Sequence, residues 1–307
     1  MKNQIQQIIA YCMFAISPLT LPLVQAQESS VVAAILEEAS GDITILDELL
    51  SEHEALLNKY PNSEFAPTLM FQLAELHYER SQLVFQKEMA TYEEQLSAFQ
   101  KGELTQEPHM PSLSMDKTIF YCSALIEKYP AIKYRDKVIY KLATAYMDAG
   151  DQDNAKANFE LLTQNYPNSP IALEAHFRIG EYLFDHRLFD EAVNHYQVLL
   201  SQWDNPYYSM ALYKLGWTYY NLTEYAKAIS TFLALIEDMN IADGLVRANM
   251  TQVDLRTESI HYIASSFTEH GGTALAKGFL APMKEKEYTP AILIKMAELY
   301  ENRNTYS

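Results

Sequence analysis

Cysteine is nearly missing: 307 residues hold two, Cys12 and Cys122. A disulfide framework is therefore excluded. Basic runs are missing too. Lys and Arg total 23 against 40 Asp and Glu, a formal net charge of −17. Nucleic-acid backbones need clustered cations, so nucleic acid is not an expected partner. Nine Gly and twelve Pro are too few for a collagenous, low-complexity or turn-dense β chain. No Gly-rich phosphate loop, dinucleotide fingerprint or nucleophile elbow occurs, and no H-E-x-x-H: His53-Glu54 is followed by Ala-Leu-Leu. His186 and His195, beside Asp185, Asp190 and Glu191, read as a solvated turn rather than a metal site. The expectation is a non-enzyme with no cofactor and no metal.

The first 26 residues differ from the rest. They carry one charge, Lys2, then an apolar run from Ile8 to Val24 broken by Pro18 and Pro22. Val24-Gln25-Ala26 has the small or branched residues that precede a cleavage point, here Ala26–Gln27. This is the pattern of a secretory signal peptide, too short and too broken for the roughly 20 residues of a spanning helix. Ile9, Ala10 and Tyr11 before Cys12 are not a lipidation signal. The mature chain is expected in the periplasm or at the outer membrane, with no transmembrane segment. It keeps Cys122, within an apolar helical run, as a buried thiol.

What is abundant is hydrophobic residues, 49%, and aromatics, 12%. They recur with a period. Ile139–Pro167, His176–Asp204 and Leu212–Asn240 align without gaps at spacings of 37 and 36 residues. Leu142, Ile179 and Leu215 share a column; so do Ala143, Gly180 and Gly216; so do Tyr146, Leu183 and Tyr219. Later come Ala155, Ala192 and Ala228, then Phe159, Tyr196 and Phe232. Apolar residues at i, i+3 and i+7, a short polar turn, and a second periodic stretch predict an αα-hairpin. One hairpin cannot bury both faces, so hairpins stack. The small columns let paired helices approach.

These columns resemble the tetratricopeptide repeat family: large apolar, Leu, Gly/Ala, Tyr, then Ala, then Phe, then Pro. Pro167 matches the terminal Pro; Asp204 and Asn240 do not. The pattern continues at 260–280 through Ile263, Ala264, Phe267 and Ala276, after an insertion at about 241–259. Met296, Ala297 and Tyr300 start another unit that stops in its inter-helix turn, which is expected of a piece of a longer chain. The expected fold is all-α, an αα-hairpin solenoid with a long helical insertion.

Upstream, "LLNKYP" (56–61) and "LIEKYP" (125–130) echo "LLTQNYP" (161–167). Residues 65–80 supply a first helix whose partner begins only near 116. Between them Phe85, Met89, Tyr92, Leu96 and Phe99 recur at spacings of 4, 3, 4 and 3. That is a heptad-like seam on a helix expected to run from 66 to about 101. The seam either packs on helices within 31–58 or serves a partner or a second copy. The expected organisation is a signal peptide (1–26), N-terminal helical repeats (27–130) with an arm at about 81–114, and a repeat solenoid (131–307).

The resemblance implies a concave surface lined by first helices. Positions beside the packing columns would face it: Tyr140, Thr144 and Met147; Phe177, Glu181 and Phe184; Tyr213, Trp217 and Tyr220; His261, Ser265 and Thr268. The carboxylate-gripping Lys/Asn set of some family members is absent; Lys137 and Asn221 stand alone. An aromatic groove with acidic edges suits an apolar or amphipathic segment, unless the chain's own helices fill it. The repeat spacing and the Tyr-Pro-Asn-Ser hairpin ends at 60–63 and 166–169 are similar to those of bacterial cell-envelope tetratricopeptide proteins. The resemblance implies an exported scaffold binding envelope proteins. Two alternatives stay open: the regulatory arm of a larger protein with a catalytic domain beyond residue 307, or a cytoplasmic adaptor that keeps its N-terminus.

Overall fold

The structure is a computed structural model and describes residues 21–242 and 252–304, with side chains over 39–238 and 255–303. Most of the expected signal peptide and part of the 241–259 insertion lie outside the described residues. Every regular element among the described residues is helical. The chain divides into two compact units, Met1–Tyr129 and Pro130–Ser307.

The first unit contains α1 (Leu21–Lys59), α2 (Ala66–Gln100) and α3 (Asp116–Lys128), with α2 packed on both others. Pro67 stands in the first turn of α2, where its missing N–H costs nothing. The predicted long helix is present, ending one residue short of its expected limit. Leu46, Leu50, Met70, Leu73, Ala74, Cys122 and Leu125 form the core. The buried Thr118 hydroxyl donates to the Ala74 carbonyl at 3.3 Å, tying α3 to α2. Ala26 and Gln27, the expected cleavage pair, lie in the helical backbone of α1.

The second unit runs through α4 (Arg135–Asp148), α5 (Gln152–Asn165), α6 (Ala172–Asp185), α7 (Phe189–Leu200), α8 (Tyr208–Asn221) and α9 (Tyr225–Ala242). It closes with α10 (Gln252–Glu269), α11 (Gly272–Leu280), a 3-10 turn (Ala281–Met283) and α12 (Tyr288–Asn304). From α4 to α11 each helix packs on the next, and α12 packs on α10. This is the predicted αα-hairpin solenoid.

The repeat columns are the core. Phe159, Tyr196 and Phe232 are among the largest fully buried side chains, each worth roughly 1.5–3 kcal/mol of apolar burial. A Cβ on Gly180 would lie 2.7 Å from the Tyr196 ring, and one on Gly216 would lie 2.7 Å from Phe232. The glycines are the space into which these rings fit. Ala155, Ala192 and Ala228 are buried from the other side.

The turns inside the hairpins share one backbone device. Gly150, Arg187, Thr223 and Gly271 all have φ between 60° and 83°. They stand at one repeat position. In the first three, its N–H donates three residues back, to Met147, Phe184 and Tyr220. The next N–H reaches five residues back, to Tyr146, Leu183 and Tyr219. This pattern satisfies the last carbonyls of each first helix and demands a left-handed residue. Asp151 then caps α5, accepting from the Asn154 N–H at 3.1 Å.

The links between hairpins explain the echoing motifs. Ser63 N–H donates to the Tyr60 carbonyl and Ser169 N–H to that of Tyr166, so both Tyr-Pro-Asn-Ser segments make the same turn. After α7, where Asp204 stands in the proline column, the buried Asn205 side chain ties the link together. Its Nδ2 donates to the Leu199 carbonyl at 2.7 Å and to Gln202; its Oδ1 accepts from the Tyr207 N–H at 2.8 Å.

Candidate partner-binding site

The candidate surface is built by the first helices of successive hairpins in the second unit, α4, α6, α8 and α10. Tyr140 and Met147 on α4 are half-buried, and the Tyr140 ring meets Phe159 edge-on at 6.1 Å. Phe177 on α6 is only 8% exposed because it stacks on Tyr207 at 5.4 Å; it offers a partner little surface. Thr144 and Ser265 are buried as well.

Glu181 is a clamp inside the fold. It accepts from the Tyr196 hydroxyl at 3.0 Å and pairs with Lys214 at 3.0 Å, joining α6 to α7 and α8. Burial, then the Glu181 charge, raises the Tyr196 phenol well above the usual tyrosine range. Lys214 also lies over the Phe184 ring, 5.1 Å from its centroid.

Tyr213, Trp217 and Tyr220 follow one another at i, i+4 and i+7 on α8, a single face of a helix. Their rings form an edge-to-face chain with centroids 6.5 and 6.2 Å apart. Tyr262 on α10 closes over part of it, 3.9 Å from Trp217 and 5.3 Å from Tyr220. The Tyr213 hydroxyl donates to Glu258 at 2.8 Å. Burial and this bond push the Tyr213 phenol up to about 12. Predicted His261 is half-buried and meets Tyr262 at 5.1 Å.

What stays open is a cavity of about 400 Å³ between α6 and α8, lined by Phe184, Phe189, Tyr213 and Trp217 together with Asp185, Arg187, Lys214 and Asn221. Three predicted groove residues, Phe184, Tyr213 and Trp217, meet there. Phe184 and Phe189 face each other edge-on at 5.5 Å. Tyr140, Met147, Phe177 and His261 do not line it. Sequence reasoning missed Arg187, Phe189, Lys214 and Tyr262. Two signals were available: Tyr262 interrupts the column Lys141, Arg178, Lys214, and Arg187 occupies the left-handed position where Gly150 and Gly271 stand.

The pair His186–His195 does not form. His195 instead meets His176 across α6 and α7, Nδ1 to Nδ1 at 3.0 Å. His186 stacks on Tyr182 at 4.0 Å. Burial, then the facing His195, pushes His176 down to about 4, and burial lowers His195.

In the first unit the seam residues Phe85, Met89, Tyr92, Leu96 and Phe99 all lie half-buried along α2. Phe85 borders a cavity of about 570 Å³ with Asp47, Glu54, His77 and Arg80. Arg80 donates to Asp47 at 2.5 Å, and Tyr121 stacks on His77 at 5.5 Å.

The tetratricopeptide repeat family model matches residues 137–169 and 210–238. Those two stretches match tetratricopeptide repeats. The first match covers the hairpin α4–α5 and the second the hairpin α8–α9. No curated protein matches the chain. Among solved structures the chain is similar to MamA, at 18% identity over 68% of this chain and 96% of that one, with a TM-score of 0.40. It is similar to BtubC (BKLC) from P. vanneervenii, at 15% identity over 88% and 93%, with a TM-score of 0.47. A tetratricopeptide repeat protein from Parabacteroides merdae matches at 15% identity over 87% and 98%, with a TM-score of 0.31. Among the described residues no helix is long and apolar enough to cross a membrane.

Proposed function

We propose that this chain is an exported, non-enzymatic repeat scaffold that holds another protein of the bacterial cell envelope. The bound element is an apolar or amphipathic segment. The observation carrying this reading is the aromatic cavity between α6 and α8, flanked by Arg187 at φ 60°. Export and the envelope location rest on the signal-peptide pattern of residues 1–26 and on the Tyr-Pro-Asn-Ser hairpin ends.

A photoreactive amino acid at Asn221, exposed on the cavity rim, tests the groove against one at Ala234, exposed on α9. In cells, position 221 should capture a discrete envelope protein that Trp217→Ala abolishes while the helical CD spectrum is kept. Equal capture at 234, or capture indifferent to Trp217, overturns the reading. N-terminal sequencing of the mature protein tests export: a chain beginning at Gln27 supports it, and one beginning at Met1 makes this a cytoplasmic adaptor. A catalytic motif encoded beyond Ser307 would make it the arm of an enzyme.

The seam on α2 supports a second contact, between copies of this chain. A sustained heptad-like spacing over Phe85–Phe99 is what a helix-to-helix seam requires. Light scattering of Leu96→Glu should then give half the wild-type mass, and an unchanged mass would sink the idea.

A further inference from the structure

His176 and His195 are departures from the repeat that meet each other. The column of His176 holds Ile139 and Leu212 in the neighbouring hairpins, both buried. The column of His195 holds Asn158 and Thr231. Only the α6–α7 hairpin carries histidine at both positions, and there the two Nδ1 atoms lie 3.0 Å apart, with ring centroids at 5.2 Å.

We infer that His176 and His195 form a two-imidazole site for a divalent transition-metal ion of tetragonal preference, Cu2+ or Ni2+. With metal–nitrogen bonds of about 2.0–2.1 Å, nitrogens 3.0 Å apart subtend about 94° at the ion. The two nitrogens thus stand within reach of one ion, and Cu2+ heads the affinity order of divalent ions at nitrogen sites, with Ni2+ next below it. Imidazole is a preferred ligand of both ions. Burial lowers both imidazoles, which favours the neutral form that binds metal.

In the metal-free pair one ring donates its Nδ1 proton to the other. On binding, that proton moves to Nε2 of its own ring, each ring turns to aim its Nδ1 lone pair at the ion, and no net proton is released. Glu160 on α5 places its charge near His195, favouring a cation, and Lys156, paired with Glu160 at 2.7 Å, opposes it. Among the described residues no three metal-type ligands gather, so the two imidazoles are the protein's whole contribution and water completes the shell. Both rings are half-buried, which leaves those positions open.

The test is titration of the purified full chain with CuSO4 against a glycine competitor, read by calorimetry and by electron spin-echo spectroscopy. The wild type should bind one equivalent with two equatorial imidazoles. His176→Leu and His195→Thr install the residues that the next hairpin carries and should fold. Each should weaken binding at least about 10-fold, the lower end of what losing even an outer-shell partner costs. His186→Gln should bind as the wild type. A wild-type signal with a single imidazole, or a double variant binding Cu2+ as tightly as the wild type, overturns the assignment. The spectroscopic reading needs no variant, so a misfolded substitution does not protect it.

Discussion

Gly216 on α8 and Phe232 on α9 share one space: a Cβ on the glycine would lie 2.7 Å from Phe232 Cε1. The Phe232 ring is fully buried and has nowhere to retreat. Gly180 and Tyr196 repeat the relationship one hairpin earlier. Gly216→Ala should therefore cost about 1–3 kcal/mol, the scale of overpacking, despite alanine's better helix propensity. Gly278 on α11 meets nothing within 4 Å, so Gly278→Ala should gain up to about 1 kcal/mol. Urea unfolding followed by CD separates the two signs.

The shared left-handed turn position predicts a stabilising change. Thr223 is β-branched and sits at φ 60°, a conformation costing an L-residue about 1–2 kcal/mol. Glycine removes that cost and returns part of it as unfolded-chain entropy. Thr223→Gly should raise stability by about 0.5–1 kcal/mol, read as a higher urea midpoint. Arg187→Gly should stabilise similarly while weakening partner capture at position 221. A stabilised variant with full capture would remove Arg187 from the site.

Glu181 holds Tyr196 and Lys214 together, so its loss should damage the fold rather than the groove surface. Glu181→Ala leaves the Tyr196 hydroxyl without its acceptor and should cost about 1–3 kcal/mol. Adding Tyr196→Phe removes the orphaned hydroxyl and should recover part of that cost. A double-mutant cycle with no coupling would refute the clamp.

Alkaline pH should loosen the second unit. Tyr213 and Tyr207 are both raised to about 12, first by burial and then by acidic neighbours, Glu258 and Glu174. A phenol held above its unfolded value of 10 contributes stability that is complete below pH 10. That contribution is lost as pH climbs from 10 towards 12, because the unfolded chain ionises first. Thermal melts across pH 8 to 11.5 should fall steeply above 10. Tyr213→Phe should be less stable at pH 8, having lost the bond to Glu258, and should fall less above 10.

The repeat was legible because its physics is local. Spacing along one helix fixes which residues share a face, so the Leu, Gly/Ala, Ala and Phe columns marked the core and the hairpins before any contact was known. The long α2 helix was equally plain, since its seam keeps a constant period from Phe85 to Phe99. The groove was only half legible. Helical phase placed Phe184, Tyr213 and Trp217 between packing columns, and the cavity gathers those three. It could not foresee that Tyr207 would cover Phe177, that Tyr262 would lie on Trp217, or that His195 would pair with His176 instead of His186. The first two depend on how far one hairpin is rotated against the next, and the third on how α6 and α7 face each other within their own hairpin. That rotation is set by side chains meeting across helices roughly 20 to 50 residues apart. Sequence alone determined the helices, their period and their buried faces, because each follows from neighbours within one or two turns. Only the tertiary structure decided which outward aromatics stay open, because that depends on packing between hairpins, which no local pattern encodes.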